Sequence, residues 1–273
     1  MAQSSLQVVT KVIEKNVPFK FNQTLKINGI KSKIEIAGWD KEEIKIKLSL
    51  VSKNIDKAVA EKDLAHIKYS VNNVSGGYAL SNSYETTKIN STLSITYELM
   101  VPNKCLLDLK NSYGNVIIKD ISGKLTLDAE YGNVNLTSIN GIIIINSYFN
   151  DIIAENINSG NFKSISNHST LNFSKISGVF DIETTYGDLL INSVMDLKNL
   201  NVKSSKSDVN ISFHALEKYN FNLSAYYGEI ILPNDNKFHL TENTEAQKKY
   251  ILSSPKISNL ITISNVYGNI GIK

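Results

Sequence analysis

The chain has 273 residues, with 29 basic and 26 acidic side chains for a formal net charge of +3, and 42% of it is hydrophobic. Every basic residue is a lysine. The absence of arginine removes the side chain best suited to bidentate recognition of phosphate, carboxylate and guanine, so no nucleic-acid partner is expected. A single cysteine, Cys105, excludes an intrachain disulfide framework, and no apolar run reaches the roughly 18 residues of a membrane span.

Met1 to Thr10 lacks the basic start and apolar middle of a signal peptide, and Met1-Ala2-Gln3-Ser4-Ser5 reads as an expression start fused to a mature N-terminus. Residues 6–50 read as strands. Ile44-Lys45-Ile46-Lys47-Leu48-Ser49-Leu50 alternates most cleanly, after a turn at Gly38-Trp39-Asp40-Lys41. Residues 54–65 are the one helix candidate, capped by Asn54. Ile55, Ala58, Val59, Lys62 and His66 fall near one face, with Lys57, Glu61 and Asp63 outside it. Such a short helix would cover an edge or end of a sheet. Strands resume over 67–101, and Val101-Pro102-Asn103-Lys104 breaks them because proline cannot continue a ladder. Cys105 follows in an alternating run, as a buried small apolar residue with no neighbour to lower its pKa. This first part, 1–105, is expected to run on into a repetitive part, 106–273.

The repeat is legible in register: Tyr113-Gly114-Asn115-Val116, Tyr131-Gly132-Asn133-Val134, a degraded Tyr148-Phe149-Asn150-Asp151, Asn167-His168-Ser169-Thr170, Tyr186-Gly187-Asp188-Leu189, Lys206-Ser207-Asp208-Val209, Tyr227-Gly228-Glu229-Ile230 and Tyr267-Gly268-Asn269-Ile270. A spacing of roughly 18–21 residues is a solenoid signature. Short period-two runs between the copies are half-buried strands: Val116, Ile118 and Ile121 point inward, as do Leu125 and Leu127. Tyr-Gly-Asn and Ser-Gly read as turn chemistry, because glycine and asparagine tolerate positive φ. Helical period is missing between copies, which leaves an all-β solenoid, right-handed by expectation, with one short helix on the N-terminal side. Residues 234–250 are polar and read as a surface loop, after which Ile251–Lys273 would add the last coil.

Three features coincide: Ile34-Glu35-Ile36-Ala37-Gly38-Trp39-Asp40 before a long alternating strand, Tyr97-Glu98-Leu99-Met100-Val101-Pro102 leading into Leu106-Asp108-Leu109, and the serial Tyr-Gly-Asn-Val and Ile-Ser-Gly-Lys-Leu units. Together they resemble the bacterial "putative adhesin" β-solenoid family, a domain of unknown function found in Bacteroidota cell-envelope proteins. That resemblance implies an extracytoplasmic location, whether periplasmic, secreted or at the surface. It brings no catalytic residues with it.

The candidate ligand-binding residues are Tyr113, Tyr131, Tyr186, Tyr227 and Tyr267, with Trp39 apart from them. Equivalent solenoid positions stack, so the tyrosines form either a ladder on which sugar faces could lie or a structural ladder that holds the turns. Trp39 either caps the core or offers a platform. Asn115, Asn133, Asp151, Asp188, Asp208, Glu229 and Asn269 form a second row, suited to bonding turn amides or, alternatively, to calcium. The acidic members are diluted by asparagine, and His66, His168, His214 and His239 are isolated, so no metal and no cofactor are expected. An enzyme of polysaccharides would need a working carboxylate pair, and only Asp181 and Glu183, on one strand face, approach that. The reading is therefore a non-enzymatic envelope or surface adhesin-like protein binding polysaccharide or another envelope component. The alternatives are a self-assembling structural solenoid and a polysaccharide-active enzyme. A monomer is favoured, since the helix and the 234–250 loop would obstruct end-to-end stacking.

Overall fold

The computed structural model describes residues 5–20, 22–85, 88–233 and 237–273. Most of the expected expression start and the first residues of the expected 234–250 loop lie outside the described residues. The chain divides into two compact units, Met1–Gly132 and Asn133–Lys273.

In the first unit the strands β1 (Gln7–Pro18), β2 (Thr24–Ile30), β3 (Ser32–Trp39) and β4 (Glu43–Asn54) precede the helix α1 (Lys57–Leu64). After it come β5 (Ile67–Val74), β6 (Gly77–Tyr84), β7 (Thr92–Pro102), β8 (Leu106–Ser112), β9 (Val116–Ile121) and β10 (Leu125–Glu130). These strands pair in two ladders, β5-β6-β2-β8-β10 and β1-β4-β7-β3-β9. The ladders are parallel around β2, β3, β8 and β9, and turn antiparallel at β5–β6, β1–β4 and β4–β7. Period-two alternation carries the core: Ile34, Ile36, Ile44, Ile46, Leu48 and Leu50 are all buried, each contributing about 1.5–3 kcal/mol of transfer free energy. Val116, Ile118, Ile121, Leu125 and Leu127 are buried too, as their alternation implies.

The second unit opens with β11 (Val134–Tyr148), β12 (Asp151–Asn167), β13 (Thr170–Thr185) and β14 (Leu189–Ser205). Each is one bent strand that makes nearly a whole coil, pairing in parallel with the next. Then follow β15 (Val209–Phe213), a 3-10 turn at Leu216–Lys218, β16 (Asn220–Tyr226), β17 (Ile230–Ile231), β18 (His239–Asn243), β19 (Gln247–Leu252), β20 (Leu260–Val266) and β21 (Ile270–Ile272). Among the described residues no helix is long and apolar enough to cross a membrane.

Coil order differs from chain order in both units. The coil β2–β3 lies between β6 and β8 on one ladder and between β7 and β9 on the other. In the second unit β20 lies between β14 and β16, and β21 between β15 and β17. The C-terminal coil is thus an insertion between two earlier ones, where the repeat read in series had placed it last. A coil offers the same backbone ladder to either neighbour, so periodicity alone carries no information about insertion.

Two sequence readings are corrected locally. The helix begins at Lys57 because Asp56, and not Asn54, caps it: Asp56 Oδ1 accepts from the amides of Ala58 and Val59. Asn54 bonds instead to the Asp56 amide and to Asn90 O. The buried side of α1 is Ala60 and Asp63, while Ile55 is exposed. Asp63 accepts from the amides of Asn90 and Ser91 at 2.9 and 2.8 Å, which ties the helix to the start of β7. Hydrogen bonding by the Ser91 side chain, against desolvation, and by these two amides holds the Asp63 pKa below its ordinary value. The second correction concerns the expected 234–250 loop, whose later part is the antiparallel hairpin β18–β19, with β19 also paired to β16. Its residues lack alternation because pairing at the edge of the ladder, not burial, makes them strands.

Cys105 is buried, and its thiol pKa is pushed up to about 12 by that burial. Burial likewise raises Tyr84, to about 12, and Tyr97, whose hydroxyl donates to Asn82 Oδ1. These groups stay protonated in the fold, while in an unfolded chain they ionise from about pH 9 upward. Stability is therefore full below that value and falls as pH rises beyond it. Thermal melts between pH 8 and pH 11 should show a Tm that drops with pH, and less steeply in Cys105→Ala.

Candidate functional site

The repeated turn is built on a residue in the left-handed region, and that residue is not the glycine. Tyr113 (φ 62°), Tyr131 (55°), Phe149 (54°), His168 (51°), Tyr186 (56°), Lys206 (53°), Tyr227 (54°) and Tyr267 (59°) all hold positive φ, as does Lys31 (49°). The neighbouring glycines serve a different need. A Cβ on Gly114 would stand 1.9 Å from Ser32 O, and one on Gly187 would stand 2.2 Å from Ser169 O. Coils touch backbone to backbone there, so glycine is required by space. This corrects the reading in which Gly and Asn supplied the positive φ.

Along the row the amide of one left-handed residue donates to the residue just before its counterpart on the next coil: Tyr113 to Glu130 O, His168 to Thr185 O, Tyr186 to Ser205 O, Lys206 to Val266 O and Tyr267 to Tyr226 O, while Tyr227 donates to Ala246 O. The turns are thereby locked in register, and their side chains stack. In the first unit Tyr113 and Tyr131 stack at 4.8 Å between centroids with planes 4° apart. In the second, Phe149, His168 and Tyr186 stack in succession at 4.5 and 4.7 Å. Lys206 comes next, its ammonium 4.6 Å from the Tyr186 ring centre and hydrogen-bonded to the Tyr186 hydroxyl at 2.6 Å. Beyond it Tyr267 and Tyr227 stack at 5.1 Å.

The structure thus brings Tyr113 to Tyr131 and Tyr227 to Tyr267, and sets Tyr186 in line behind Lys206. Phe149, His168, Lys206 and Lys31 belong to the row although sequence reasoning passed over them. The signal available was their register position, not their residue type. His168 in particular is not isolated. Trp39 lies apart, at the end of β3: its Nε1 donates to Glu43 O at 2.9 Å, and the Lys41 ammonium covers its ring at 4.9 Å. Beside it opens a cavity of about 340 Å³ lined by Phe19, Lys20, Lys104 and Cys105 among others.

The rings are outward. Tyr113, Tyr131, Tyr186, Tyr227 and Tyr267 are 43–60% exposed. Ring faces within a stack cover one another at these spacings, so what solvent meets is ring edges and hydroxyl groups. Holding a bulky residue in the left-handed region costs roughly 1–2 kcal/mol, and an aromatic pair returns about 0.5–1.5 kcal/mol. Tyr113→Ala forfeits the stack and keeps the strain, whereas Tyr113→Gly loses both. The alanine variant should be less stable than the glycine variant by about 1 kcal/mol in urea unfolding.

The second row sits two residues after the first. Asp188 Oδ1 accepts from the Asp208 amide at 2.8 Å, Asp208 Oδ1 from the Asn269 amide at 2.7 Å, and Asn269 Oδ1 from the Glu229 amide at 2.9 Å. These oxygens bond turn amides from coil to coil. Among the described residues no group of three or more His, Cys, Asp or Glu side chains is placed to hold a metal ion. Asp181 accepts from Asn201 Nδ2 at 2.9 Å, and Glu183 lies 3.7 Å from the Lys203 ammonium. Each carboxylate faces a partner on the next coil. His66 pairs with Glu85 at 2.7 Å, and His214 with Ser193 at 3.0 Å.

Stacked parallel coils with inward aliphatic rows and a repeated outward turn define a β-solenoid protein. The chain belongs to the Toastrack DUF4097 family, whose model matches residues 22–273. Solved structures similar to it include a "putative adhesin" from Bacteroides fragilis NCTC 9343 (14% identity, 96% of this chain and 97% of that chain, TM-score 0.48). Another is a "putative lipid binding protein" from Parabacteroides distasonis ATCC 8503 (12% identity, 97% and 96%, TM-score 0.49), and a third a "putative adhesin" from Parabacteroides merdae ATCC 43184 (12% identity, 96% and 96%, TM-score 0.41). Comparison with curated proteins finds no match. Likenesses this distant say nothing of ligands.

Proposed function

We propose that this is a non-enzymatic, extracytoplasmic binding protein of the adhesin kind, which holds a linear envelope polysaccharide against the edges of its stacked aromatic turns. The observation that carries the reading is the set of half-exposed tyrosines kept at left-handed backbone positions, where glycine would cost less. Phenol groups stand on adjacent coils, about 4.8 Å apart, at Tyr113 and Tyr131 in the first unit and at Tyr267 and Tyr227 in the second. Such a row both donates to and accepts from the hydroxyls of a glycan chain. Flat stacking of sugar rings on the tyrosines is not part of the proposal, since the ring faces are already occupied by one another.

A second reading is favoured by those same covered faces: the stack is architecture that holds coils in register. Tyrosine-to-phenylalanine variants separate the two, because they keep the rings and remove the hydroxyls. Tyr113→Phe/Tyr131→Phe and Tyr227→Phe/Tyr267→Phe would be tested for binding to a panel of immobilised polysaccharides beside the parent protein. The expected result is at least tenfold weaker binding with Tm unchanged within about 2 °C. Parent and variants that bind equally, or a parent that binds no glycan, would leave the ladder as architecture alone.

A further inference from the structure

Every ladder of the first unit has a last strand, and the one formed by β1 differs from an ordinary guarded edge. It runs for 12 residues in unbroken antiparallel register with β4, with no bulge. Among the described residues β4 is its one pairing partner, so the other side of β1 presents unpaired amides and carbonyls. Leu6, Val8 and Val12 fall on its outer face and are 57%, 56% and 51% exposed. Exposed valines on a long edge are what edge strands usually avoid. Lys11, the residue best placed to guard the middle, is on the opposite face, its ammonium 6.0 Å from the Tyr69 ring centre.

We propose that β1 pairs antiparallel with β1 of a second copy of this chain, forming a two-fold symmetric dimer with Thr10 at the axis. The charge pattern, the length of ladder formed and the side chains brought opposite together select the register. A two-fold axis normal to the sheet keeps each face continuous, so partners i and j must have an even sum. Centring on Lys11, Ile13, Glu14 or Lys15 places like charges directly opposite each other, which is destabilising. Centring on Val8 or Val9 is free of like pairs as well but, because β1 begins at Gln7, joins only its first few residues, 7–9 or 7–11. Centring on Thr10 joins 7–13 and again places no like charges opposite. It sets Val8 across from Val12 twice and Thr10 across from Thr10, a row of β-branched pairs of the sort that stabilise sheets, and Leu6 lies opposite Glu14. Centring on Val12 is also free of like pairs but sets Val8 against Asn16 and Val9 against Lys15. These residues therefore favour a self-complementary edge, in contrast to the monomer expected from sequence. The helix α1 leaves this open, since it packs against β1 and β4 without pairing to the edge.

Light scattering and sedimentation over a concentration series should give twice the chain mass for the parent. Val8→Lys/Val12→Lys puts lysine opposite lysine and should yield monomer at concentrations at least tenfold higher than the parent's. Mixed with Val8→Glu/Val12→Glu, it should recover the dimer. Register is read by Thr10→Cys, which under mild oxidation should crosslink across the axis, whereas Glu14→Cys should not. Native Cys105 is buried and does not compete. A parent that stays monomeric, a lysine variant that still dimerises, or crosslinking of Glu14→Cys in place of Thr10→Cys would each overturn the proposal. All of these side chains are outside the core, and a circular dichroism spectrum matching the parent's checks that the fold is kept.

Discussion

Replacing Gly187 with valine should cost about 3 kcal/mol or more and lower the urea midpoint accordingly. The added Cβ would lie 2.2 Å from Ser169 O and 2.6 Å from its carbonyl carbon, both backbone atoms of the adjacent coil. Neither can move alone, because Ser169 is fixed through its own hydroxyl, which donates to Asn167 O and accepts from the Asn150 amide. Relief would have to come from separating two coils, and that breaks the ladder bond from Leu171 N to Asp188 O at 2.8 Å. Gly160 supplies the control. A Cβ there meets nothing within 4 Å, and its φ lies outside the left-handed region, so Gly160→Ala should stay within about 0.5 kcal/mol of the parent. Equal losses at the two positions would mean that glycine is needed for flexibility, against the spatial account given above.

Phe162→Ala should be the most damaging core truncation in the second unit, at about 4 kcal/mol. Its ring is fully buried, stacked on Phe180 at 4.6 Å and edge-on to Phe173 at 5.5 Å. The three phenylalanines come from consecutive coils, β12 and β13, and Phe162 pairs in register with Phe180. Removing the central ring leaves a cavity that the stiff parallel backbone cannot close. Phe162→Leu keeps most of the volume and should lose about 1.5 kcal/mol. A loss for the alanine variant no greater than that of the leucine variant would show that the coils collapse into the space, and that the solenoid is softer than its hydrogen bonding implies.

The aromatic ladder shows how far residue patterns reach. Tyr-Gly-Asn units announce a turn, and their recurrence announces stacking, so Tyr113, Tyr131, Tyr186, Tyr227 and Tyr267 could be named beforehand. The sequence places His168 and Phe149 in the repeat but not in the ladder, because their copies lack the Tyr-Gly signature and residue type alone draws the ladder to the tyrosines. That the second row bonds turn amides from coil to coil, from Asp188 through Asp208 and Asn269 to Glu229, is not legible in residue type, since the same oxygens also suit a cation. Asp56 as helix cap and the β18–β19 hairpin escaped for a related reason. Each depends on where a partner lies in space, and the local sequence offers more than one candidate.

Alternation and period by themselves determined which side chains are inside, where the chain turns and that the fold is a solenoid. Burial of apolar surface acts on every copy alike and leaves the same mark in each. Coil order was decided only by the tertiary structure. A parallel coil can add to either side of its neighbours with equivalent backbone bonds, so the insertion of β2–β3 and of β20–β21 leaves no trace in the repeat. The assignment of positive φ to tyrosine was decided there as well. Contact between coil backbones leaves no room for a Cβ at Gly114 or Gly187, although Asn150, Ser169 and Ser207 hold the same register position in other copies; in all of them the strained dihedral falls to the preceding residue, and an aromatic ring there recovers part of the cost by stacking on the next.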